Sequence, residues 1–130
     1  MPYQITWLID ERVLHFHLEG ELNPDMLREM VQESRDMANL GKNPVHAIVD
    51  ATRAESIPKH IQTVLQEYKN QKPESSGFTV LIATSSVTRF FAQMLFKLFR
   101  LEVRFAADLD DAMSILYRVD MTLPAQTKSA

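Results

Sequence analysis

Cysteine is absent from the chain, which excludes a disulfide framework, a thiolate nucleophile and any cysteine-ligated metal centre. Glycine is scarce too. The chain has three, and none belongs to a glycine-rich phosphate loop or a G-x-S-x-G elbow; H-E-x-x-H is missing as well. Basic charge is not in excess: a net charge of -3 and a pI near 5.8 argue against general affinity for nucleic acid, because phosphate binding needs concentrated positive charge. No apolar run approaches the roughly 20 residues that span a bilayer, so no integral membrane segment is expected. The N-terminal MPYQITWLIDER lacks a basic region followed by an apolar one, and a cytoplasmic location is expected on that ground.

What is present is an ordinary globular composition, 45% hydrophobic and 24% charged over 130 residues, enough for one domain with a substantial core. Residues 3–9 alternate with Ile5, Trp7 and Ile9 on one face, and residues 13–19 alternate with Leu14, Phe16 and Leu18. With Asp10, Glu11 and Arg12 between them, the two runs read as a β-hairpin. Gly20 is expected to close the second strand. Asn23 followed by Pro24 signals a helix N-terminus, and an apolar helical pattern then runs from Met26 to Leu40 and stops at Gly41, a C′ glycine.

Residues 45–49 read as a short buried strand, Ser56 as the cap of a helix that ends before Pro73, and residues 74–77 as a turn. Residues 78–83 are apolar on both faces, as an inner strand requires. A helix from Ser85 or Ser86, a strand over Val103–Ala106 and a last helix opened by Asp108 complete the order β-β-α-β-α-β-α-β-α. Strands alternating with helices predict parallel crossovers, hence an α/β fold with a mixed five-stranded sheet whose first strand is antiparallel. Residues 1–119 form the predicted single domain and residues 120–130 a flexible tail.

Residues 86–104 hold four of the seven phenylalanines. On a helix, Val87, Phe90, Phe91, Met94, Leu98 and Leu101 share one face, and Ala92, Leu95, Phe96 and Phe99 extend it around one side. Arg89, Gln93, Lys97 and Arg100 fill the narrow polar arc. Two explanations stand: the helix lies under other elements as core, or the Leu95, Phe96 and Phe99 flank is covered by a second copy, another protein or an apolar ligand.

Three groups are candidate sites. His15 and His17 sit two apart on one strand face with Glu19 behind them, a spacing that suits metal ligands. Without partners from distant segments they read as exposed side chains on a partly open sheet face, so no metal or cofactor is expected. His46 and His60 have no neighbour in sequence to pair with. Asp50, Thr52, Arg53 and Ser56 follow a central strand, where open α/β sheets bind ligands; turn-making and capping account for the same residues. Ser86 and Arg89 open the aromatic helix, where backbone N–H groups and an arginine suit an anion, although capping again explains the serine.

Gly20-Glu21-Leu22, AIVDATRA at 47–54 and RFAADLDDAMSIL at 104–116, in this order of elements, resemble the SpoIIAA-like fold of the STAS domains, shared by sulfate transporters and anti-sigma-factor antagonists. The resemblance implies a non-catalytic regulatory or interaction domain rather than an enzyme. In the antagonists a phosphorylatable serine lies at the start of the helix after the third strand, within an acidic-Ser-Ser-Gly run. That run is missing here, and Lys59 falls about where the serine belongs. The leading expectation is a domain that forms a homodimer or binds a protein partner by burying Leu95, Phe96 and Phe99, with Lys97 and Arg100 meeting acidic groups. The alternative is a carrier of a small apolar or lipid-like molecule, implied by the layout that SpoIIAA-like proteins share with lipid-binding domains and compatible with seven methionines and seven phenylalanines.

Overall fold

The computed structural model describes residues 3–56, 76–82 and 103–124, and singly Gln66, Phe90 and Gln93. Strands β1 (Tyr3–Ile9) and β2 (Val13–Glu21) form the hairpin, followed by α1 (Pro24–Leu40), β3 (Val45–Ser56), β4 (Ser76–Ile82), β5 (Val103–Ala106) and α2 (Leu109–Val119). The strands lie side by side in chain order. Only β1 and β2 are antiparallel; every later pair is parallel, which is the mixed sheet with an antiparallel first strand that the element order predicts. The helices expected over 57–72 and from Ser86 lie outside the described residues, except for Gln66, Phe90 and Gln93, which are helical.

Each sheet face has its own core. On one side Leu18, Leu27, Met30, Val49 and Leu81 bury together beneath α1. On the other, Ile9, Val13, Ile48, Val80 and Ile82 pack with Ala112, Met113 and Leu116 of α2. Period-two alternation sends neighbouring strand residues to opposite faces, so the apolar runs of β3 and β4 serve both cores. Each fully buried aliphatic side chain contributes about 1.5–3 kcal/mol, more than a cap or turn supplies.

The helix ends follow local chemistry. Asn23 accepts a hydrogen bond from the Met26 N–H at 2.9 Å, with Pro24 opening α1. At α2, Asp108 accepts from Asp111 N–H at 2.8 Å and the Asp111 carboxylate accepts from Ala107 N–H at 2.9 Å, a reciprocal cap that satisfies two otherwise orphaned donors. Gly41 ends α1 as predicted but for a different reason. Its backbone is extended, with φ at -87°, and a Cβ there would sit 2.6 Å from Val45 and 2.7 Å from the Glu11 carbonyl. Close approach, not a left-handed cap, requires this glycine.

Three expectations are corrected. Gly20 does not close β2: at φ 68° it carries the strand on to Glu21. Asp50 to Ser56 do not follow the third strand but continue it, pairing Glu19 with Arg53, Gly20 with Ala54 and Glu21 with Ser56; the helix expected after Ser56 lies outside the described residues. The longer ladder adds backbone hydrogen bonds of about 1 kcal/mol each and sets Ala51 and Ala54 against the α1 core. Those two alanines are three apart yet share a face, since a register shift between His17 and Glu19 adds a residue to β3. Ser76 and Gly77, expected in a turn, begin β4.

The tail expectation also changes. Asp120 and Leu123 are packed: Leu123 is buried in the α2 core, and the Tyr117 hydroxyl donates to the Pro124 carbonyl at 2.9 Å. Residues 125–130 lie outside the described residues.

Candidate functional site

Two histidine–aspartate groups occupy the α2 face of the sheet: one links β3 to the hairpin turn and the segment after α2, and the other spans β2 and β3. The parallel register sets Val13 beside His46, His15 beside Ile48 and His17 beside Asp50, so His15, His17, His46 and Asp50 project to the same side as the apolar pair Val13 and Ile48.

The first group is sealed. His46 is 1% exposed. Its Nδ1 accepts the Phe78 N–H at 2.9 Å, so the ring hydrogen sits on Nε2 and is donated to Asp120 Oδ2 at 2.8 Å. Gly77 makes this possible, because a Cβ there would collide with the imidazole. The same Asp120 oxygen accepts from Arg12 Nη2 at 2.7 Å, and the arginine also donates through Nε to the Pro44 carbonyl at 3.1 Å. Burial by itself raises the Asp120 carboxyl, but hydrogen bonds from His46 and Thr122 outweigh it and bring the pKa down to about 2. With both ring nitrogens committed, His46 has no site left to take a proton from a substrate. The group is a clasp joining the hairpin turn, β3, β4 and the C-terminal segment.

The second group is open. His17 Nδ1 lies 3.9 Å from Asp50 Oδ2, with side-chain exposures of 34% and 22%. The His15 ring meets the His17 ring edge-on, centroids 6.4 Å apart, and the His15 Nε2 is buried. Across the hairpin, exposed Gln4 and Thr6 pair with His17 and His15, so this end of the sheet face is polar. Asp50 is held by its neighbour: Oδ1 accepts from Thr52 N–H at 3.0 Å and from Thr52 Oγ1 at 2.7 Å, an Asx-type turn at the extra residue of β3. That turn leaves Oδ2 toward His17.

The sequence expectations divide accordingly. His15 and His17 come together as predicted, but Glu19 is not their third member: its carboxylate, 54% exposed, lies 3.9 Å from Arg53, and Asp50 from the next strand takes its place. Asp50, Thr52, Arg53 and Ser56 all lie within β3, so the loop site imagined for them is a strand face. Ser86, Arg89, Leu95, Phe96, Lys97, Phe99 and Arg100 lie outside the described residues. Sequence reasoning missed the His46–Asp120–Arg12 clasp, whose members are 74 and 108 residues apart. The one available signal was His46 itself, a histidine inside an apolar strand that must find partners when buried.

No protein-family model matches the chain, and no curated protein does. Solved structures do match. An uncharacterised protein of the DUF3478 family from Shewanella loihica PV-4, described as having a SpoIIAA-like fold, aligns with a TM-score of 0.64 at 16% identity over 88% of this chain and 91% of its own. The anti-sigma factor antagonist SpoIIAA in its unphosphorylated form aligns with a TM-score of 0.55 at 18% identity over 89% of this chain and 97% of its own. Together with the mixed sheet and its strand order, these alignments establish that the chain has the SpoIIAA-like fold, the STAS-type architecture.

Proposed function

We propose that the chain is a non-catalytic regulatory domain that acts through protein contacts, and that its first partner is a second copy of itself, bound through the aromatic 86–100 segment. The observation that carries this reading is Phe90, which is 46% exposed in a segment whose apolar residues outnumber what one buried stripe needs. Phe105 adds to it, 51% exposed on β5 at the sheet edge. Large half-exposed aromatics are the residues that anchor protein interfaces, and an edge strand of a sheet carries backbone groups that can pair. The SpoIIAA likeness favours the same class, since that protein is an anti-sigma factor antagonist.

Native mass spectrometry of the purified protein tests the proposal. A dimer is expected, falling to monomer in Phe90→Glu and Phe96→Asp with the far-ultraviolet circular dichroism of the parent. A monomeric parent would overturn self-association, and a monomer carrying extra mass would turn the reading to an apolar-ligand carrier.

A further inference from the structure

We propose that His15, His17 and Asp50 form a binding site for a divalent transition-metal cation of the zinc type, held by two imidazoles and one carboxylate, with water completing the shell. The site is independent of any self-association.

Three features carry the inference. The first is convergence: one ligand atom from each of the three residues lies within 4.8 Å of the other two. Tetrahedral zinc, with bonds of about 2.0–2.2 Å, sets its ligand atoms about 3.4 Å apart. His17 and Asp50 stand 3.9 Å apart, so small side-chain rotations of partly exposed groups close the site without moving the backbone. The second is rigidity: neighbouring strands fix the three Cα positions, with His17 beside Asp50 in register. The third is orientation. Thr52 occupies Oδ1 of Asp50 twice and presents Oδ2 to the imidazoles, the role that outer-shell hydrogen bonds play around metal ligands. The nearby cation of β3, Arg53, lies against Glu19 rather than Asp50.

The donor set decides the ion class. Two imidazoles with one carboxylate suit zinc and its first-row neighbours, whereas magnesium and calcium require oxygen donors.

The test is calorimetric titration of the full-length, chelator-stripped protein with zinc chloride, repeated with cobalt chloride and followed by visible absorption. One saturable equivalent is expected. It should vanish in His17→Gln and in Asp50→Asn, which retains an oxygen for Thr52, and weaken about 10-fold in Thr52→Val, while Glu19→Gln binds as the parent does. Melting curves of the metal-free variants should match the parent, separating ligand loss from unfolding. Absence of saturable binding, or binding undiminished in His17→Gln and Asp50→Asn, would overturn the site.

Discussion

One face of the sheet carries two histidine–aspartate groups, and their differences are instructive. At His46 both ring nitrogens have partners at hydrogen-bonding distance, and the ring is buried. Four residue pairs further along the β2–β3 ladder, His17 and Asp50 stand at 3.9 Å, partly exposed, beside the exposed Gln4 and Thr6. Identical side-chain types therefore do different work. Sealed and saturated, the pair contributes to stability, because a buried polar network is favourable only when every member is satisfied. Loose and open, it has donor atoms to offer a ligand.

The strongest way to break the contrast is His46→Ala. The substitution leaves the Phe78 N–H and the Asp120–Arg12 ion pair without the ring and opens a cavity, so a loss of about 3 kcal/mol or more is expected in urea denaturation. A loss below about 1 kcal/mol would show that water replaces the imidazole and that the clasp is dispensable.

Acid sharpens the comparison next. Asp120 titrates near 2 in the folded protein against an ordinary 3.8. A carboxyl depressed in the native state stabilises it fully above the ordinary value, and that contribution disappears as pH falls from about 4 toward 2. Asp120→Asn should therefore cost about 1–2 kcal/mol at neutral pH and show a shallower decline over that window; parallel acid curves for parent and variant would contradict the assignment. The smallest effect belongs to the open group. His17→Gln is expected to change stability by less than about 0.5 kcal/mol, as surface substitutions do, and a larger loss in denaturant would make His17 part of the fold rather than a ligand.

Much of the architecture was legible in the sequence. The hairpin followed from alternation on either side of Asp10-Glu11-Arg12, and both described helices from side-chain caps at Asn23 and Asp108, each confirmed by a hydrogen bond. Residues 50–56 show the limit. Their polar, turn-favouring side chains read as the end of a strand, but the ladder between β2 and β3, invisible from residues 50–56 alone, continues through them. For the candidate site, the strand period put His15 and His17 together, but it named the wrong third residue. Glu19 shares their strand; Asp50 shares their space.

What the sequence determined by itself is the five strands, the two described helices and, outside the irregular stretch of β3, the side each strand residue faces, because periods of 2.0 and 3.6 residues are local geometry. Tertiary structure alone decided which strands lie adjacent in which register, and hence that Asp50 meets His17 while Asp120 closes on His46 and Arg12. Those contacts join residues 33, 74 and 108 positions apart, and only the packing of two cores on one sheet brings them within reach.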